Sequence, residues 1–258
     1  MGLICGVLSV ALGLIYLEAS HAPVSYIVVN ICAAVIGIAA YIVATRLAKT
    51  PSRMSGNAWY GVAVFFLAAS LLGSSVEGVH RWIRVGPLTL QPGLLVLPAM
   101  IVAYSRNRSV VGTVSLVVTA VVLALQPDRA MAGALAAGAL VMALQRRERF
   151  TVAVAVAATA AFTVTMLRAD PVDAMPYVER ILFTSFEVNA VTGIAVLIGA
   201  LLLPLPRLFG VFGVVWLAIL AAAALGNYPT PVVGYGASSI IGYFLSVAFT
   251  HRGEIRTA

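Results

Sequence analysis

Charge is what this sequence has least of. Asp, Glu, Lys and Arg make up only 10% of its 258 residues, against 62% hydrophobic, and the mean hydropathy is +1.04. A soluble domain carries roughly 25% charged residues, so a water-soluble globule is excluded and the chain reads as an integral membrane protein. Cysteine is nearly absent too. Cys5 and Cys32 each lie inside an apolar run, where a thiol acts as a small hydrophobe, and no disulfide is expected. The three histidines, His21, His80 and His251, fall in separate segments without metal-ligand spacing, so no structural metal is expected. There is no low-complexity tail and no soluble domain; the longest stretch without an apolar span is about 168–184. The opening MGLICGVLSVALGLIYL lacks the basic region and small-residue cleavage site of a secretory signal and is read as a retained first span.

What is there is a series of apolar runs, at about 3–17, 25–44, 58–76, 88–105, 109–125, 129–144, 150–167, 185–203, 208–225 and 237–250. These predict an all-α polytopic protein of about ten transmembrane helices with short loops. Several runs fall short of a comfortable span, and the fourth contains Pro92 and Pro98, which implies tilt, broken helices or local thinning. If the N-terminus is cytoplasmic, the inner segments hold Arg46, Lys49, Arg53, Arg106, Arg108, Arg146, Arg147, Arg149, Arg207, Arg252 and Arg256, which is 11 of the 16 basic residues. The outer segments hold Arg81, Arg84, Arg129, Arg168 and Arg180, together with seven of the nine acids: Glu18, Glu77, Asp128, Asp170, Asp173, Glu179 and Glu187. This asymmetry predicts ten spans with both termini inside. It also accounts for the net charge of +7 without invoking nucleic acid.

Polar groups gather in three outer features. The first is GVHRWIRVGPLTLQP, from Gly78 to Pro92; the second is the turn Leu125-Gln126-Pro127-Asp128; the third is NYPTPVVGYGASS, from Asn227 to Ser239. Prolines stiffen the third, and Gly234 and Gly236 around Tyr235 permit close backbone approach. Ser238 and Ser239 open the last span, where a hydroxyl caps a helix or binds a ligand. Gln91 needs a partner if it lies below the headgroups, and Glu187 and Asn189 at the head of the eighth span raise the same question. The outer loop RADPVDAMPYVERILFT predicts a short surface helix from Tyr177 onward, with Pro176 at its first turn. The small-residue stretches GALAAGAL and LAAAALG predict close helix packing.

Arg81-Trp82-Ile83, Leu90-Gln91-Pro92, Leu125-Gln126-Pro127-Asp128, Pro231 and Gly234-Tyr235-Gly236-Ala237-Ser238-Ser239 occur in the order and on the side found in the FtsW/RodA group. From about residue 58 to 250 the chain resembles the SEDS family (shape, elongation, division and sporulation) of bacterial cell-wall proteins, and residues 1–258 are read as one SEDS-like transmembrane domain. Gly93 stands where the family usually has Ser. Arg129 and Met131-Ala132 replace a Leu-Gly-Thr-Ala run, and Ala237 replaces a Gly. The outer loop before the eighth span is cut down, and the position of the family's essential Asp falls on Arg180.

The resemblance implies a peptidoglycan glycosyltransferase, a polymerase of lipid II acting in cell division or elongation in the bacterial cytoplasmic membrane, working with a class B penicillin-binding protein. With the family Asp unmatched, Glu179, ahead of Asp173, is the candidate catalytic carboxylate. Arg81, Arg84, Trp82, Gln91, Gln126, Asp128, Tyr235, Ser238, Ser239 and Arg180 are candidates for binding the lipid-linked disaccharide diphosphate. Arginine suits the departing diphosphate because its planar fork pairs with phosphate oxygens, although snorkelling or pairing with Glu77, Asp170, Asp173 or Glu179 would equally explain any one of Arg81, Arg84, Arg168 or Arg180. Trp82 and Tyr228 are also read as interfacial anchors. No cofactor is expected; a loosely held divalent cation at a diphosphate site is the one metal this reading admits. The alternative is a non-catalytic scaffold that binds the lipid-linked precursor. A transporter fits less well, because no ionisable residue sits at mid-span and no inverted repeat is evident.

Overall fold

The computed structural model describes residues 1–47, 53–73, 77–86 and 88–250; Lys49, His251, Arg252 and Arg256 lie outside them. The chain is mostly helical, at 75%. The helices are α1 (Gly2–Ala19), α2 (Val24–Leu47), α3 (Arg53–Ala69), α4 (Pro92–Arg106), α5 (Val110–Leu125), α6 (Arg129–Arg146), α7 (Arg149–Met166), α8 (Ile181–Val188), α9 (Ala190–Leu202), α10 (Val211–Leu225) and α11 (Ala237–Thr250). Between α3 and α4 lies a small antiparallel hairpin of β1 (Ile83–Val85) and β2 (Leu88–Leu90), paired Ile83 to Leu90 and Val85 to Leu88. The all-α expectation is thus amended where the third run leads into the fourth.

The helices follow the apolar runs, with three adjustments. The fourth run begins as strand and becomes helix only at Pro92, which takes the first helical position because it has no N–H to leave unsatisfied. The eighth run, 185–203, is divided: α8 ends at Val188 and Asn189 starts α9, its Oδ1 accepting from the Thr192 N–H at 2.8 Å. The surface helix starts at Ile181 rather than Tyr177. Tyr177 and Arg180 both take left-handed backbone conformations, at φ 65° and 60°, which no helix can pass through.

The core is built on α4 and α11. Twelve residues of α4 are buried, from Pro92 through Tyr104 with one exception, as expected of a helix that is apolar all round. Helix α11 packs between α4 and α2 and also touches α1. Pro98 removes the N–H that would bond to the Leu94 carbonyl, and Gly242 of α11 lies against that same carbonyl, where any side chain would collide with it. Ser9 of α1 reaches across to the Gly199 carbonyl of α9 at 2.6 Å. The outward faces are apolar: Val28, Val35, Ile36, Phe65, Val156 and Leu201 are all exposed. A soluble protein could not sustain such a surface, and a lipid-facing one requires it. Segments Gly2–Ala19, Val24–Leu47, Arg149–Met166 and Ala190–Arg207 are each long and apolar enough to cross a membrane.

Successive antiparallel helices sort the connections to two ends. One end carries the hairpin, the 126–128 turn, the 168–180 loop and the 227–236 segment. The opposite end carries Arg106, Arg108, Arg146, Arg147, Arg149 and Arg207.

Candidate functional site

Four connections meet at the first end. The hairpin sets the frame: it is preceded by Arg81 and followed by Gln91, which starts α4 in an extended conformation. The backbone N–H of Gln91 donates to Ser238 Oγ of α11 at 2.8 Å, and its side-chain Nε2 donates to Asp128 Oδ2 at 3.1 Å. Asp128 is fully buried and caps α6, its Oδ1 accepting from the Met131 N–H at 3.1 Å. A helix N-terminus stabilises a carboxylate, which explains how this acid is held in an apolar bundle. Gln126, also buried, donates to the Leu67 carbonyl and to Ser70 Oγ at 2.9 and 2.6 Å, and so ties the end of α5 to the end of α3.

Arg81 is at the centre, with only 3% of its surface exposed. Its Nη2 donates to the Pro127 carbonyl and to Asp170 Oδ2, the latter at 2.8 Å. Tyr228 donates its hydroxyl to the same Asp170 oxygen at 2.6 Å, and its ring lies 5.3 Å from the guanidinium carbon. Burial would raise the Asp170 carboxyl, but Tyr228 and Arg81 outweigh it and hold the group below the usual range. Burial also opposes the charge of Arg81, which Asp128 and Asp170 sustain above its ordinary value. The Tyr228 hydroxyl is pushed well up by burial and by donating to a carboxylate.

Glu179 lies alongside. The 175–179 stretch is strapped to the 228–235 segment: Thr230 N–H donates to the Val178 carbonyl at 2.8 Å, Tyr235 N–H to the Tyr177 carbonyl at 2.7 Å, and Glu179 bridges to Pro229. Its Oε2 accepts from the Met175 N–H at 2.6 Å. Burial raises its carboxyl to about 7, against the opposing pull of the Met175 N–H and of Arg81.

Several buried polar atoms here have no hydrogen-bond partner among the described residues: Arg81 Nε, Gln91 Oε1, Asp170 Oδ1, Thr230 Oγ1 and His80 Nδ1. Buried polar groups are nearly always paired. These five atoms, from the segments that meet at this end, are open to a polar partner.

The structure therefore brings together Arg81, Gln91, Asp128, Glu179 and Ser238. Ser239 sits just behind, accepting from the Val232 N–H at 3.1 Å and donating to the Gly236 carbonyl at 3.2 Å. Tyr235 stacks on Tyr26 of α2, centroids 3.7 Å apart. Asn30 clamps the same loop, donating to the Gly234 carbonyl at 2.9 Å and accepting from the Gly236 N–H at 3.1 Å. Trp82 is half-buried; Arg84, Asp173 and Arg180 are exposed. Arg168 donates to the Ala124 carbonyl at 3.1 Å, and Arg129 donates to the carbonyls of Thr165 and Arg168. Glu187 is exposed and outside the cluster. Asp170 is the residue that sequence reasoning passed over: it stood there only as one of four acids able to neutralise an arginine. Asn30 and Tyr26 were not singled out, since both lie in the apolar second run, away from the three polar features. Among the described residues no group of three or more His, Cys, Asp or Glu could hold a metal ion.

A family of proteins described as cell cycle proteins, the FtsW/RodA/SpoVE group, matches residues 1–192. No curated protein matches the chain. Among solved structures, the rod shape determining protein RodA of Thermus thermophilus superposes with a TM-score of 0.65 at 20% identity, over 99% of this chain and 97% of that one. A chain from a peptidoglycan synthase complex that coordinates polymerization and crosslinking gives 0.58, again at 20% identity, over 99% and 98%. At such identity the likeness is one of fold.

Proposed function

Because the chain belongs to the FtsW/RodA/SpoVE family of cell cycle proteins, we propose that it works in bacterial cell-wall synthesis as a multi-pass protein of the cytoplasmic membrane, polymerising a lipid-linked disaccharide diphosphate at its outer face. Ten spans with both termini inside put the Arg81 end outside, in keeping with the basic residues massed at the opposite end. A class B penicillin-binding protein is the partner proposed.

The observation that carries this reading is a buried carboxylate, Glu179, set beside the buried Arg81, where several polar atoms have no partner among the described residues. A general base works best when its pKa lies near the working pH, and Glu179 is raised to about 7. In its ionised form it takes the proton of an acceptor-sugar hydroxyl. That oxygen attacks the anomeric carbon of the donor, the bond from this carbon to the lipid diphosphate breaks with its electron pair, and the diphosphate leaves as an anion. The proton passes from Glu179 to solvent before the next turnover. Arg84 and Arg180, both exposed, and Arg81 through its unpaired Nε are the cations for the departing charge. Asp170 and Tyr228 hold Arg81 in place and take no proton.

One observation favours a second reading, a scaffold that binds the precursor without reacting it: Arg81 already has a full carboxylate partner in Asp170. The two are separated by incubating the purified protein with a labelled lipid-linked disaccharide diphosphate, alone and with a penicillin-binding partner. Glycan polymer from wild type and none from Glu179→Gln supports the polymerase. Substrate binding that Arg81→Ala weakens and Glu179→Ala spares, with no polymer from wild type in either condition, overturns it in favour of the scaffold.

A further inference from the structure

Helix α2 is held to the bundle by one face. Asn30, Ala33 and Gly37 are its buried residues, and it packs chiefly on α11 and α1. The small Ala33 and Gly37 suit a close helix contact, and Gly37 lies against Phe244 and Ile241 of α11. Asn30 does something else. It is the one amide side chain in α2, only 1% exposed, and an amide in an apolar bundle is costly without partners. Both ends of it are used on a single turn: Nδ2 donates to the Gly234 carbonyl at 2.9 Å, and Oδ1 accepts from the Gly236 N–H at 3.1 Å. Between these two contacts Tyr235 stacks on Tyr26, one helical turn before Asn30, with centroids 3.7 Å apart and planes 10° from parallel.

That turn flanks Glu179 on both sides. Before Glu179, the Tyr235 N–H donates to the Tyr177 carbonyl at 2.7 Å, and the Tyr26 ring meets the Tyr177 ring edge-on at 6.0 Å. After it, Gly234 lies so close to Ile181 that a side chain there would strike Ile181 Cδ1. The same segment pairs with Glu179 through Pro229 and with Val178 through Thr230. Tyr177 and Arg180, on either side of Glu179, are left-handed at φ 65° and 60°. Such residues persist in that conformation only where their surroundings over-determine it. The 228–236 segment supplies contacts of that kind, and the α2 amide pins its 234–236 end.

We propose that Asn30 is a positioning residue for the reaction: by fixing the turn from Gly234 to Gly236 it holds the 175–181 strap so that Glu179 stays beside Arg81. It acts through the turn alone and not on the reacting atoms. A purely structural amide would tie α2 to the start of α11 and stop there. Here the bonds run on, through Tyr235 and Thr230, to the backbone of Tyr177 and Val178. The positioning role rests on the reading of Glu179 as the general base; the mechanical link from α2 to the strap does not.

The test uses the full chain in detergent. Amide hydrogen exchange is followed by mass spectrometry, and polymerisation of the labelled lipid-linked disaccharide diphosphate is measured for kcat and KM. Asn30→Leu, close to isosteric, removes both hydrogen bonds. Exchange should quicken in 175–181 and 228–236 and stay unchanged in α6. The kcat should fall roughly 10- to 100-fold, as a small misplacement of a reacting group makes it do, with KM within about twofold of wild type. Added to Glu179→Gln, Asn30→Leu should cost nothing further, because residues that act as one unit are not additive; a general loss of structure would add. Tyr26→Leu keeps the amide clamp, loses the ring stack and should lower kcat about two- to tenfold, so the test does not depend on how well Asn30→Leu folds. Val35→Ala, on the exposed face of α2, should change neither readout. Wild-type turnover by Asn30→Leu, or unchanged exchange in 175–181, overturns the inference. No polymer from wild type overturns the polymerase reading and the positioning role with it, and so is told apart from failure of this inference alone.

Discussion

Arg81 holds a full charge with almost no contact with solvent, and every neighbour that makes this tolerable comes from another part of the chain: Asp170, 89 residues on, the Pro127 carbonyl and the face of Tyr228. Removing one partner of a buried pair leaves the other charge uncompensated, at a cost of about 3 kcal/mol or more. Asp170→Asn should therefore lower stability by about that amount, measured by thermal unfolding in detergent, and Arg81→Gln in the same molecule should recover part of the loss. Because the folded carboxyl lies below the ordinary aspartate value of 3.8, its contribution is complete above that value and is lost as pH falls through the folded pKa. Glu179 has the opposite sign. Its carboxyl is raised from 4.5 to about 7, so the folded state loses stability as pH rises from the first value to the second. Glu179→Gln removes that cost and can still accept the Met175 N–H, so at pH about 8 the variant should unfold no earlier than wild type; earlier unfolding would show that the carboxylate is a structural group. The polar residues Arg81, Gln91 and Asp128 were legible in the sequence because polarity within an apolar chain demands a partner. Asp170 was not: nothing local separates it from Asp173, and only the folded loop decides which of the two faces Arg81.

At the level of elements, apolar length located most of the helices, since in lipid a run of that kind satisfies its backbone groups only within a helix or a closed barrel. What it did not locate were features set by backbone conformation. Strands of three residues carry too little periodicity to be read, and the β1–β2 hairpin is visible only through its pairing. The late start of α8 depends on left-handed Tyr177 and Arg180, neither of which favours that conformation by residue type. The junction of α4 and α11 shows how tightly such elements meet. A side chain at Gly242 would run into the backbone carbonyl of Leu94, whereas one at Gly61, on the exposed face of α3, would meet nothing within 4 Å. Gly242→Ala should cost at least about 2 kcal/mol, as overpacking of a rigid contact does. Gly61→Ala should be neutral or gain up to about 1 kcal/mol from reduced chain entropy. Thermal unfolding of the two variants side by side checks both expectations, and equal effects would refute the close α4–α11 contact.

For the whole molecule, two chemically distinct ends are held apart by an apolar bundle: a buried polar cluster around Arg81 at one, and Arg106, Arg108, Arg146, Arg147, Arg149 and Arg207 at the other. The sidedness proposed from the basic residues is open to direct test. With Cys5 and Cys32 replaced by Ala, Asp173→Cys should react with an impermeant maleimide on intact cells, and Gln145→Cys only after permeabilisation; the reverse pattern would invert the topology. The chemistry proposed at the Arg81 end is read out by the pH dependence of glycan polymerisation. With a general base near 7, the wild-type rate should rise about tenfold between pH about 6 and 8 and then level off. Glu179→Gln should fall at least about 100-fold, within the range expected for loss of a general base, and lose that pH dependence while still binding substrate. A Glu179→Gln enzyme that keeps the wild-type rate and the same pH profile would contradict the account.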